Sequence, residues 1–428
     1  MLTNGPAWSR SRSTETGRHM RMTLVGMALL SATAAANQAP TPAPPKARVH
    51  TYTAASQPSP KTASKPDLDL PAALRSLRAA VDAPGFSGSV VLMRGNETLF
   101  AETRGMADKA QGLPNTLATR YNIASVGKLL TAVVLSRLAA DAGLELASIR
   151  PAQTLKERSA LFDERLTAVD LLAHRTSARS MIEAKGGADR VLAAQSNSDF
   201  ANLVAEAQSG PITLLRGELR YSNANYVLLG EIAATMGGRS YEDLLRAIVL
   251  DPSGVASAAF SRDGGPGQPA PAIGYVAADF DEEGEGSTAL AADYPRPYSK
   301  GLAGARASAA GGLFVSAPDL AKIGAALLSG RILPASRVQE LCTTQIPVIP
   351  VLIHGLGCSG VNHGPGVRRF GHNGGTPGVS AEFALYPDSG LSLVILSNHD
   401  RRAQPVLKAF EASYFGDAAR LRPGMIIR

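Results

Sequence analysis

The sequence predicts an α+β fold: an antiparallel sheet flanked by helices, with a mainly helical second lobe. Three observations carry this. Short β-rich runs lie near both ends of the chain body, at Gly88–Met93 and Thr98–Thr103, and again at Arg368–His372, Val379–Tyr386 and Leu391–Ser397. Between them, from Tyr121 to about residue 330, apolar residues recur mostly at helical spacing. The terminal runs are joined by turn residues, Arg94-Gly95-Asn96 and Pro387-Asp388-Ser389-Gly390, that suit antiparallel neighbours.

The elements follow in order. Leu70–Val81 reads as an opening helix, ahead of two strands. Val126–Ala140 is a strongly apolar helix stopped by Asp141-Ala142-Gly143. Leu166–His174, Asn223–Met236 and Pro318–Leu328 read as further helices, the second of them closed by Gly237-Gly238. Residues 261–300, rich in glycine, proline and acids, read as a long loop. Three strands and a closing helix, Gln404–Tyr414, complete the body. One sheet of about five antiparallel strands is expected, with a cleft between it and the helical lobe.

The flanks read differently. Arg18 and Arg21 precede the apolar run Met22–Leu30, and Ala34-Ala35-Ala36 follows. That is the layout of a secretory signal, over residues 1–36, in a run too short to span a bilayer. Residues 1–17 fit it poorly, and Met20 or Met22 is a candidate initiator. The other reading of the segment is a disordered basic tail. Residues 37–66 are proline-rich and lack apolar periodicity, as in an extended tether. The folded domain is expected over residues 67–418, with a tail over 419–428. Export to a bacterial periplasm is the expected location, with no transmembrane span in the mature chain.

The 428 residues are 45% hydrophobic and 18% charged, ordinary for a globular protein with a large core. The net charge is +7. Eight basic residues and one acid precede Asp67, so the body is about neutral. No basic stripe with interleaved aromatics runs through it, which argues against a nucleic-acid partner. Cys342 and Cys358 are the two cysteines. A disulfide and two buried thiols are both compatible with them.

Three short segments carry chemistry. In Tyr121-Asn122-Ile123-Ala124-Ser125-Val126-Gly127-Lys128, a serine stands at the head of an apolar helix with a lysine three positions on. Positions i and i+3 share a face, so hydroxyl and amine can meet. Serine needs a base to act as nucleophile, and a lysine serves when burial depresses its pKa. The bland reading is a serine cap beside a surface lysine; the apolar setting of Lys128 speaks against it. Tyr221-Ser222-Asn223 opens a helix and offers a proton relay and an amide, or simply a cap. Gly371-His372-Asn373-Gly374-Gly375 follows a strand and allows close backbone approach, or a plain hairpin turn. No G-x-S-x-G elbow and no H-E-x-x-H metal spacing is present.

Taken together, the three segments resemble the serine β-lactamase and penicillin-binding-protein superfamily. The branch is the one with Y-x-N as second motif: class C β-lactamases, D-alanyl-D-alanine carboxypeptidases, D-aminopeptidases and related esterases. Leu171-Leu172-Ala173-His174-Arg175-Thr176-Ser177 and Ala310-Gly311-Gly312-Leu313 agree as well, and the resemblance covers residues 75–415. It implies a β-lactamase/transpeptidase-like fold, with Ser125 as nucleophile, Lys128 as base and Tyr221 as proton carrier. Asn223, His372, Asn373 and Gly374 would meet the substrate. The backbone N–H groups of Ser125 and Gly375 would form the oxyanion hole. No metal or cofactor is implied, and the partner would be a small-molecule or peptidoglycan-derived substrate. His174 is expected to be structural.

The sequence departs from the pattern in its third motif, which is H-N-G where many relatives have lysine first. An imidazole is neutral above about pH 6.5 when unperturbed. An esterase or D-amino-acid peptidase is therefore expected ahead of a β-lactamase, with a non-catalytic envelope binding protein as the alternative of another kind.

Overall fold

The computed structural model describes residues 68–263, 270–276, 296–298, 304–343, 346–349, 352–362 and 368–416. The expected signal, the proline-rich segment, the C-terminal tail and most of the 261–300 loop lie outside these residues.

The sheet has eight strands where about five were expected. They are β1 (Gly88–Arg94), β2 (Glu97–Arg104), β3 (Ile346–Ile349), β4 (Leu352–His354), β5 (Ser359–Asn362), β6 (Arg368–Thr376), β7 (Val379–Tyr386) and β8 (Leu391–Ser397). Their spatial order is β2-β1-β8-β7-β6-β5-β4-β3, and every pair is antiparallel. The three unexpected strands are short, with Pro347 and Gly360 inside them and Gly355 and Gly357 between the last two. Such residues read as loop in sequence.

The central strands are buried on both faces, so alternation sorts their side chains into two cores. Val90, Leu92, Leu393 and Ile395 face one side. There they pack on α1 (Leu70–Asp82) and α5 (Ala403–Tyr414), through Leu77 and Phe410. Val91, Val394, Leu396 and Phe383 face the other side and join the large core of the helical lobe. The period of two along each strand makes this division automatic.

The helix α2 (Gly127–Asp141) is the centre of that larger core. Every residue from Gly127 to Ser136 is buried, so it has no solvent face over its first turns. A helix that is apolar all round belongs inside a domain. The helix α3 (Asn223–Gly237) crosses beside it and is nearly as buried. The helix α4 (Ala317–Leu328) starts at Ser316, whose hydroxyl caps Asp319, with Pro318 in its first turn. The expected helix Leu166–His174 is shorter, Ala168–Leu172, with a capping box between Thr167 and Asp170. It ends because His174 takes the left-handed conformation, φ +54°.

Cys342 and Cys358 form a disulfide with Cα atoms 4.7 Å apart. It ties the helix Ala335–Thr343 to the start of β5. Closing a loop of this length restricts the unfolded chain by about 3 kcal/mol. A Cys342→Ala/Cys358→Ala double variant is expected to unfold at lower urea concentration by about that free energy; an unchanged midpoint would refute the role.

Candidate active site

Ser125 lies in a 3₁₀ turn, Ala124–Val126, that leads directly into α2. The turn is held from several sides. The Ala124 N–H donates to Asn122 Oδ1 at 2.8 Å. Ile123 N–H donates to the Leu313 carbonyl, and Gly312 N–H to the Ala124 carbonyl. These bonds support Ala124 at φ +43°, where a residue with a Cβ pays about 1–2 kcal/mol. Strain of this kind aims the next side chain away from the helix axis and into the cleft.

Two glycines permit the close packing. A Cβ on Gly311 would sit 2.2 Å from the Ala124 carbonyl oxygen, and its φ of +137° also favours glycine. A Cβ on Gly374 would sit 2.2 Å from the Ile123 oxygen and 3.0 Å from Ser125 N. Of the two readings of His372-Asn373-Gly374, close backbone approach holds and the hairpin turn does not, because these residues lie within a strand. β6 runs on to Thr376 and presses its backbone against the serine turn.

Lys128 follows one helical turn later, fully buried. Its Nζ lies 2.9 Å from Ser125 Oγ, 2.7 Å from Asn223 Oδ1 and 2.7 Å from the Ala310 carbonyl oxygen. No salt bridge joins it to an acid among the described residues. Burial without counter-charge lowers its pKa from 10.5 to about 7. The neutral amine has two N–H groups and one lone pair. The amide oxygen of Asn223 and the Ala310 carbonyl can only accept, so the lone pair is left for the Ser125 hydroxyl.

The Ala310 carbonyl owes its position to residues that sequence reading passed over. Asn197 Oδ1 accepts from Ala309 N–H at 3.0 Å, and Thr131 Oγ1 donates to the Ala309 carbonyl at 2.6 Å. The Ala310-Gly311-Gly312-Leu313 match pointed to the segment. It did not identify a backbone oxygen as the partner of Lys128.

Tyr221 donates its hydroxyl to Ser125 Oγ at 2.7 Å. Its ring lies 4.9 Å from Lys128 Nζ and 4.4 Å from the His174 ring, centre to centre. Desolvation pushes the phenol upward, and the bond to Ser125 draws it back in part. The residue is 46% exposed, so water softens the shift; the direction keeps it protonated at neutral pH. His174 is buried, and its Nδ1 accepts from Ser222 N–H at 3.1 Å. Accepting there places the proton of the neutral ring on Nε2. Ser222 precedes α3 without capping it through its side chain.

The cleft has a volume of about 150 Å³ and is bordered by Ser125, Tyr221, Asn223, Gly375 and Thr376. Met181 and Phe200 supply an apolar wall, and Arg306 a charge. His372 is buried on β6 with Nδ1 against the Asn373 carbonyl, and neither residue borders the cleft. Asn373 is exposed. Gly374 serves the close approach already described. Hydrogen bonds thus link Tyr221, Ser125, Lys128 and Asn223 in that order. A hydroxyl flanked by an amine and a phenol can be deprotonated on one side and served with a proton on the other.

The Gly374 contact gives a sharp test. A Gly374→Ala methyl must push the strand or the serine turn aside. Turnover of any substrate cut at Ser125 is expected to fall about 100-fold, the usual cost of displacing reacting atoms by an ångström. Circular dichroism should show the fold retained. Full activity in the variant would contradict the packing.

The comparisons with known proteins bear on the family and the fold. The model of the Beta-lactamase family matches residues 70–414. A putative penicillin-binding protein, PbpX of Bacillus subtilis (strain 168), is 24% identical over 259 residues. That match covers 60% of this chain and 59% of the relative, so the chain aligns with about three fifths of that protein's length. A penicillin-binding protein from Bacillus halodurans is 23% identical with a TM-score of 0.64, over 78% of this chain and 99% of that one. A D-stereospecific amidohydrolase from Streptomyces sp. is 24% identical with a TM-score of 0.60, over 80% and 98%. At these identities the structural likeness speaks to the fold. The serine-lysine-tyrosine constellation stands inside the matched span, and the chain belongs to the Beta-lactamase family, within the serine β-lactamase and penicillin-binding-protein superfamily.

Proposed function

We propose that the chain is a serine hydrolase that cuts an ester or amide through an acyl-enzyme on Ser125. The observation that carries the reading is the placement of Ser125 Oγ between Lys128 Nζ and Tyr221 Oη, at 2.9 and 2.7 Å. In this reading neutral Lys128 takes the hydroxyl proton as Ser125 Oγ attacks the carbonyl. The oxyanion sits between the N–H groups of Ser125 and Gly375. The first N–H groups of a helical turn are free of intrahelical bonds, which suits Ser125 to that role. Tyr221 passes a proton to the leaving group, and Asn223 holds the substrate amide. Water then attacks the ester, with the protons moving back along the same groups.

An esterase or a D-amino-acid peptidase fits better than a β-lactamase. A cleft of about 150 Å³ with Met181 and Phe200 on its wall suits a side chain the size of one aromatic ring. The likeness in fold to a D-stereospecific amidohydrolase supports the same class. Action in the bacterial envelope is part of the proposal, from the signal-like N-terminal segment.

The pH dependence follows from Lys128. Its base form exists above a pKa of about 7. The value of kcat/KM is expected to rise tenfold per pH unit below about 7 and to level off above it, the phenol staying protonated well into alkali. A rate independent of pH between 5 and 9 would remove Lys128 as the base.

Intact-mass spectrometry tests the nucleophile. Incubation with a fluorophosphonate or a fluorescent penicillin is expected to give a one-to-one adduct that Ser125→Ala does not form. A long-lived penicilloyl ester would mark a penicillin-binding peptidase, a rapidly lost one a β-lactamase, and labelling by the fluorophosphonate alone an esterase. No adduct with either reagent would turn the reading toward a non-catalytic envelope binding protein.

A further inference from the structure

His174 holds Tyr221 through three contacts. Its backbone carbonyl accepts from Arg220 N–H at 2.8 Å, and its Nδ1 accepts from Ser222 N–H at 3.1 Å. Arg220 and Ser222 are the two chain neighbours of Tyr221. The imidazole ring lies 4.4 Å from the Tyr221 ring, centre to centre, with 31° between the planes. The left-handed conformation of His174, φ +54°, ends the helix Ala168–Leu172 and carries the chain to this segment. Histidine, asparagine and aspartate enter that conformation more readily than other side chains with a Cβ.

The residues around His174 are anchored in turn. Leu215 N–H donates to the Arg175 carbonyl and Ser177 N–H to the Thr213 carbonyl. Thr176 Oγ1 donates to Asn225 Oδ1 within α3. Tyr226, also in α3, packs its ring 5.1 Å from the imidazole and donates its hydroxyl to the Leu172 carbonyl. Tyr221 has no such frame of its own. It precedes α3 and is 46% exposed, so no helical ladder fixes its backbone. A proton carrier must nevertheless stay within hydrogen-bond reach of the atoms it serves. His174 is buried and does not border the cleft, so it acts through Tyr221 and not on substrate.

We infer that His174 is the positioning residue of Tyr221, a neutral acceptor that fixes the phenol where it can hand a proton to the leaving group. This rests on the hydrolase reading and deepens it by assigning a residue to the proton step. In that step the scissile bond gives its electron pair to the leaving oxygen, which takes the Tyr221 Oη proton. The role has a signature that general loosening of the fold lacks. 4-Nitrophenolate departs as a stable anion, whereas ethoxide needs a proton as it leaves. Loss of His174 should therefore harm ethyl esters and spare 4-nitrophenyl esters of the same acid.

The test compares kcat/KM for the 4-nitrophenyl and ethyl esters of butyrate and of D-phenylalanine. In His174→Ala the ethyl ester is expected to lose about tenfold or more beyond any loss on its 4-nitrophenyl partner, the low end of what a placed general acid supplies. His174→Phe keeps a ring but no acceptor, and should show the same selective loss. His174→Asn puts Oδ1 where Nδ1 stood and tolerates the left-handed backbone, so it should recover part of the ethyl-ester rate. It also stays informative where the alanine variant unfolds. Fluorophosphonate labelling of Ser125, whose leaving fluoride needs no phenol, should persist in all three. An equal loss on both esters, or none on either, with Ser125 still labelled, would overturn the inference and leave the hydrolase reading in place. So would an asparagine variant no better than phenylalanine, or a natural protein that labels at Ser125 and cuts neither ethyl ester. Absence of both turnover and labelling in the natural protein would bring down the two together.

Discussion

The structure around the cleft depends on one constraint, a lysine amine buried with no acid beside it among the described residues. Water cannot reach Lys128, so its polar partners must come from the protein. Three chain segments far apart in sequence supply them: Ser125 at the head of α2, Asn223 at the head of α3, and the Ala310 carbonyl. Each partner must arrive within about 3 Å, which sets the relative positions of both helices and of the segment that follows residue 304. The buried polar links at Asn197 and Thr131 are best understood as supports of that arrangement. They fix Ala309, and through it the oxygen that Lys128 needs.

Glycine at Gly311 and Gly374 answers the same constraint from the backbone side. The serine turn has a backbone segment packed on each flank, one ahead of β6 in sequence and one within it. A side chain on either would open the turn and with it the cleft. The sheet contributes rigidity here. β6 pairs with β7 from Phe370 to Thr376, Gly374 included, and with β5 from Arg368 to Gly371. The ladder with β7 resists a shift of the strand away from the serine turn. Precision at the serine thus comes from a paired strand, a buried helix and the hydrogen-bonded segment that carries Ala310.

Much of this was legible in the sequence, and the remainder was not for definite reasons. Ser125 and Lys128 stand one helical turn apart in an apolar run, so local geometry alone joins them. Tyr221 and Asn223 were legible only through the resemblance of Tyr221-Ser222-Asn223 to a Y-x-N motif, since nothing local joins them to Ser125. The five long strands show alternation or β-branched runs with clear turns between them. The strands over residues 346–362 carry no such signal, being short and interrupted by proline and glycine. His372-Asn373-Gly374 looks like a turn because glycines cluster there, yet the glycines serve close packing inside a strand. Ala310 could not be identified as a partner of Lys128, since a backbone oxygen leaves no mark on residue type.

The lysine constraint reaches beyond the site to the stability of the whole domain. In the unfolded chain Lys128 keeps its proton up to the ordinary value of 10.5, whereas in the folded protein it loses it near 7. Between these values the unfolded state holds more protons, so this residue makes folding more favourable as pH rises. Below about 7 both states are protonated, and the folded one carries an ammonium that burial penalises in full. A surface lysine would avoid that penalty and would also be useless as a base at neutral pH. The same desolvation that weakens the fold at low pH is what leaves a lone pair facing Ser125. Stability and reactivity are here two readings of one buried group, and a substitution that relieves the first removes the second.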